Sequence, residues 1–187
     1  MLAMDLLDRL LGHDAWTTRQ LIDRCGALSD EQLDRRIDIG RQTVRATLEH
    51  IIANMEIWSA LMAGDESSRA APPGAAQSLD DFHRRLHIAA DRLAAVARSV
   101  AARGAWDERW LDTLDQPPTE KTYGGAIAHV ITHSMHHRAQ LLYMLRKLGV
   151  ANLPEGDVLS WERQLPPLTP PASPPPSARS SAKADRA

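Results

Sequence analysis

One cysteine, Cys25, stands in 187 residues, so no intrachain disulfide can form and the chain suits a reducing compartment. Aromatic side chains make up only 4% of the sequence, and five of the eight are Trp. No run of about 18 apolar residues occurs, which excludes an ordinary membrane-spanning helix. The N-terminal stretch is broken by Asp5, Asp8 and Arg9, so the basic start and uninterrupted apolar run of a secretory signal are missing. The expected location is cytoplasmic. The formal charge is −2. No basic excess is present to meet nucleic acid or anionic lipid. A phosphate-binding Gly loop, a nucleophile elbow and Cys-based zinc spacing are also absent.

What remains is rich in Ala, Leu, Arg, Asp and Glu, side chains that lose little rotamer freedom in a helix. Four long amphipathic segments are separated by turn chemistry. The first spans about Leu2 to Ala27, with apolar positions at Leu6, Leu10, Leu21 and Ile22 and with Trp16 nearby. Ser29 to Gln32 reads as a capping box opening a short turn. The second segment spans about Thr43 to Ala63, with Val44, Leu48, Ile51, Met55, Trp58 and Met62 at the helix period and Gly64 as its stop. Ser78 reads as the N-cap of a third, which reaches about Arg103 before Gly104. Residues 105–125 contain Pro117 and Pro118 and suit a short turn or an extended crossing. The fourth long helix runs from about Gly125 to Leu148. Residues 150–164 read as a covering segment containing Trp161. The fold class that follows is all-α, a four-helix bundle over residues 1–164. Residues 165–187 are Pro-, Ser- and Ala-rich with no large apolar residue after Leu168, so a disordered tail is expected there.

Four of the eight histidines fall within the nine residues HVITHSMHH, from His129 to His137. At about 100° per residue, the apolar face of this helix is set by Ile127, Val130, Leu141, Met144, Leu145 and Leu148. His133 and His137 lie toward that face, and His129 and His136 toward the solvent rim. Two imidazoles one turn apart can grip one ion from the same side. His129 and His137 are about 12 Å apart along the axis, so a third ligand must come from a neighbouring helix. His50, mid-helix among apolar residues but at the edge of its stripe, is the natural candidate. Three neutral imidazoles with open positions form the ligand set of a catalytic rather than a closed structural ion. His83 and His87, beside Arg84 and Arg85, read as exposed, and His13 as a surface or mouth residue. Glu49 and Glu56 flank His50 but read as solvated. Trp16 and Trp58 read as core, Cys25 as a small buried residue, and Arg138 and Gln140 as groups that could orient the ligands.

The stretches HDAWTTRQLIDRCGALSDEQL, TLEHIIANMEIW and HVITHSMHHRAQL resemble the signature regions of the DinB-like (YfiT-like) family. That resemblance implies a four-helix bundle, often a homodimer, and a divalent metal ion, commonly zinc or nickel. By motif position its ligands are His50, His133 and His137. Relatives of this kind include transferases that activate a low-molecular-weight thiol and isomerases that use one as cofactor. A metal-dependent enzyme acting on a small-molecule substrate is therefore expected, as a thiol transferase or a hydrolase. A non-catalytic, stress-associated metal-binding protein is the alternative. The chain departs from the family at Ala139, where Gly is common, and at Thr17-Thr18, where Ala-Asn is common. Neither position touches a proposed ligand, but both leave the substrate open. Ile131 and Leu142 form a second apolar strip on the last helix, either a dimer seam or a wider buried face.

Overall fold

Each helix starts where a short polar side chain can accept a hydrogen bond from the first turn. A computed structural model describes residues 4–65 and 77–166. Asp5 caps α1 (Leu6–Cys25), and Ser29 closes a reciprocal capping box on the short α2 (Asp30–Leu33). Thr43 caps α3 (Val44–Met62), with its hydroxyl accepting from Ala46 N at 3.0 Å. Ser78 and Asp81 form a second capping box on α4 (Leu79–Arg103), which ends on Gly104 at φ +66. A short hairpin follows, β1 (Arg109–Asp112) pairing antiparallel with β2 (Thr119–Thr122) from Arg109↔Thr122 to Asp112↔Thr119. Thr122 then caps α5 (Tyr123–Lys147), and α6 (Val158–Glu162) closes the described chain. Proline-free ends, Ser or Thr caps and a left-handed glycine stop supply the same signals in sequence and in space.

The four long helices form a ring in which α1 neighbours α4 and α5, while α3 neighbours the same two from the other side. The core between them is built from Leu21, Ile22, Leu48, Ile52, Phe82, Leu86, Leu93, Leu141 and Leu145, all buried. Each such side chain contributes about 1.5–3 kcal/mol by leaving water. This is the all-α bundle expected from the sequence. No helix among the described residues is long and apolar enough to cross a membrane.

Two expectations need correction. At the start of α1 the buried stripe runs through Leu7 and Leu11, and Leu6 is 71% exposed. The stripe continues through Asp14, Thr17, Thr18, Leu21 and Cys25, so its polar members hid it from an apolar count. Residues 105–125 hold a hairpin rather than a plain crossing; Trp110 and Leu111 on one side and Thr119 to Thr122 on the other pair as strands. The strip at Ile131 and Leu142 is half-buried and packed against the core. The α6 segment covers the bundle through Trp161, whose ring would lie 2.5 Å from a Cβ placed at Gly12, so a glycine is needed there. The expected tail, residues 165–187, lies outside the described residues apart from its first two positions.

Candidate metal centre

α3 and α5 lie side by side, and their facing surfaces bring three imidazoles together. His50 comes from the middle of α3, and His133 and His137 from successive turns of α5. Ring centroids are 4.5 Å apart for His50 and His137, 4.9 Å for His50 and His133, and 4.4 Å for His133 and His137. One nitrogen from each ring falls within 4.8 Å of the others. His50 Nε2 and His133 Nε2 are 3.2 Å apart. Two nitrogens bound tetrahedrally at zinc–imidazole distances would be about 3.3 Å apart.

The electrostatics keep these rings neutral. Burial, then the charge of Arg41 and the neighbouring His137, lowers the pKa of His50 to about 4. His133 is also lowered to about 4, by burial first and then by the surrounding histidines. His137 is lowered by burial, partly opposed by its hydrogen bond to Gln140. Neutral imidazole is the form that offers a lone pair to a cation.

Gln140 fixes which lone pair that is. Its Oε1 lies 2.8 Å from His137 Nδ1, and its Nε2 lies 2.8 Å from His136 Nε2. A carboxamide oxygen only accepts, so His137 Nδ1 carries the proton and Nε2 is left free. The contact matches the expectation that Gln140 orients a ligand. Gly40, at φ +48, approaches so closely that a Cβ there would overlap Gln140 Oε1. His133 Nδ1 is buried without a hydrogen-bond partner among the described residues. Three converging neutral nitrogens, with no carboxylate or thiolate in the group, suit a borderline divalent cation.

The family model of the DinB family matches residues 3–164. The chain belongs to the DinB family. No curated protein matches it.

Other side chains in this DinB protein fall differently from their sequence readings. Arg138, beside His137, turns away to α1 and is buried against Asp14, donating to its carboxylate and to the Asp14 carbonyl at 3.3 Å. Burial pushes the Asp14 carboxyl up, against the pull of the Arg138 guanidinium. Arg138 therefore ties two helices together instead of touching the triad. His13 is buried, not at the surface, with Nε2 2.8 Å from Gly156 O. Glu49 and Glu56 are not free in solvent but grip Arg85, at 2.5 and 2.6 Å, which is itself only 15% exposed. His87 is exposed, while His83 is half-buried and reaches Asp23 at 3.1 Å. Trp16 and Trp58 are half-buried. Cys25 is fully buried, and burial pushes its thiol up to about 12. His129 and His136 are exposed, as the helix phase indicates. Arg41 was not legible as a site residue; it stands on an irregular loop before α3, where no period places it.

Proposed function

We propose that His50, His133 and His137 hold one divalent cation, zinc or nickel, and that the protein is a metal-dependent enzyme of the DinB family. The carrying observation is the convergence of three neutral imidazoles from two helices, one of them fixed in tautomer by Gln140. Such a cation is a Lewis acid that lowers the pKa of a low-molecular-weight thiol or of water reaching it. A thiol transferase or a hydrolase acting on a small molecule in a reducing cytoplasm is the reading that follows. Within it, His50, His133 and His137 bind, Gln140 orients His137, and the nearby positive charge of Arg41 discourages protonation of His50 and His137. A homodimer is part of the same reading.

Glu49 and Glu56 are committed to Arg85, so neither stands ready as a general base. That observation favours the second reading, a non-catalytic metal-binding protein. Elemental mass spectrometry on tag-free protein separates the metal claim from both. About one ion per chain, lost in His50→Ala and in His133→Ala, is expected. No metal in the wild type after reconstitution with zinc or nickel overturns the proposal. Turnover of a thiol with an electrophile by the loaded protein then decides for the enzyme, and its absence across a broad panel for the second reading.

A further inference from the structure

A cavity of about 380 Å3 is lined by Trp58 of α3, by Lys121 and Thr122 of β2, and by Gly125, Ala126 and His129 of α5. Trp58 stands two turns beyond His50 on α3, about 12 Å along the axis. His129 stands one turn before His133 on α5 and spans the interval. Its ring centroid is 4.9 Å from that of Trp58 and 5.2 Å from that of His133. Cavity and triad therefore share a wall.

The Lys121 ammonium at this cavity is already engaged. Lys121 Nζ lies 5.6 Å from the centre of the Trp58 ring, but it donates to Asp112 at 2.6 Å, Asp115 at 2.5 Å and Thr119 at 3.0 Å. An ammonium has three donors, and all three are used. Two carboxylates against one ammonium also leave this corner with negative charge, which disfavours an anion. The first turn of α5 offers no free amides: Tyr123 N donates to Glu108 O at 3.1 Å, Gly124 N to Trp106 O at 2.8 Å, and Gly125 N to Thr122 Oγ1 at 3.1 Å. The space is lined by the Trp58 indole, the Lys121 side chain, Thr122, the His129 imidazole, and the small side of α5 at Gly125 and Ala126. Trp58 is held from behind by Trp110 of β1, edge-on at 6.0 Å and 86°, and Trp110 in turn lies 6.4 Å from Tyr123. The hairpin thus supplies both Trp110 behind the Trp58 ring and Lys121 over it.

We propose that this cavity seats the planar, uncharged apolar part of the substrate, an aryl or conjugated group laid against Trp58, next to the triad. The catalytic meaning of this subsite rests on the metal reading of His50, His133 and His137; binding of the planar group does not. A flat ring gains an offset or tilted aromatic contact there that an aliphatic group of the same size does not.

The test uses 2-naphthol as a neutral planar probe and 2-naphthoate as its charged counterpart, added to the full chain. Amide and indole NMR shifts map the site in the wild type, so no variant has to fold for the proposal to be judged. Shifts centred on the Trp58 indole, Gly125 and His129 are expected, with naphthol bound more tightly than naphthoate. Trp58→Ala should weaken naphthol at least about tenfold, roughly 1.4 kcal/mol, while His50→Ala should leave it within about twofold. Shifts elsewhere, preference for naphthoate, or an unchanged affinity in folded Trp58→Ala overturn the proposal. A chain that binds metal but shows no naphthol shift loses this subsite alone. A chain that binds naphthol at Trp58 and takes no metal keeps the subsite and loses the metal reading.

Discussion

Replacing Gln140 by Leu should weaken divalent-metal binding by about 10–100-fold, or about 1.4–2.7 kcal/mol, without unfolding the bundle. The carboxamide accepts from His137 Nδ1 at 2.8 Å and reaches His136 Nε2 at the same distance. Leu keeps similar bulk and removes both bonds. Letting His137 choose between two tautomers costs only about RT ln 2, roughly 0.4 kcal/mol. The larger part comes from freeing the ring to turn and from lost basicity at its other nitrogen. Losing these half-buried bonds should lower stability by about 0.5–1.5 kcal/mol, a few degrees in Tm for a chain of this length. Competition against a chromophoric chelator at neutral pH reads the affinity directly. Gln140→Glu restores an acceptor in nearly the same shape and should recover most of it. An unchanged affinity in folded Gln140→Leu, or a Glu variant as weak as Leu, would refute the assignment of Gln140 as a positioning residue.

Asp14→Ala should destabilise the protein by about 3–5 kcal/mol in urea unfolding, because it strands the buried Arg138 guanidinium; a loss under about 1 kcal/mol would show that water reaches that charge. Replacing the pair together, Asp14→Leu with Arg138→Met, should recover most of that loss, read by the same unfolding curves. His50 and His133 have folded pKa values near 4 against about 6.5 unfolded, so the unfolded chain binds more protons between those values. Metal-free protein should therefore lose stability as pH falls from about 6.5 to about 4 and then level off, a slope that His50→Ala should reduce. With protons competing so late, metal should be held below the pH 6 to 5 window expected of ordinary imidazoles, and dialysis at stepped pH checks it. Gly40→Ala should match Gln140→Leu in metal affinity, since the new Cβ overlaps Gln140 Oε1, and should also cost about 1–2 kcal/mol for the left-handed backbone.

The parts of the fold that were legible in the sequence are those written locally. Ser29, Ser78 and Gly104 act at their own helix ends, so their neighbours in sequence suffice to place them. His133 and His137 could be paired from phase because both sit on one helix. His50 could not, and the ring of helices explains why. α3 packs on both α4 and α5, so its apolar stripe points between them, and a side chain facing α5 alone lies at the stripe's edge. The hairpin, and the seat of the covering segment on His13, were hidden for another reason: β1 pairs with a strand seven residues away, and Gly156 lies 143 residues from His13, so neither contact leaves a periodic trace.

α5 explains both the closeness of His133 to His137 and the misplaced Arg138. Its mean apolar direction is a bisector between two partners, with His133 and His137 on the α3 side and Arg138 and Leu142 turned toward α1 and the segment that covers it. A histidine near that bisector and an arginine near it are therefore on opposite shoulders of the helix. The two shoulders are mechanically linked. Cα atoms lie about 2.3 Å from a helix axis and imidazole nitrogens roughly 6–7 Å from it, so a rotation of about 20° would move a donor by roughly 2 Å. That displacement equals a whole metal–ligand bond. The buried Asp14–Arg138 contact opposes such a rotation from the α1 side, while Gln140, pressed by Gly40, opposes it from the α3 side. Holding three imidazoles on one point thus draws on α1 as well as on the two helices that carry them.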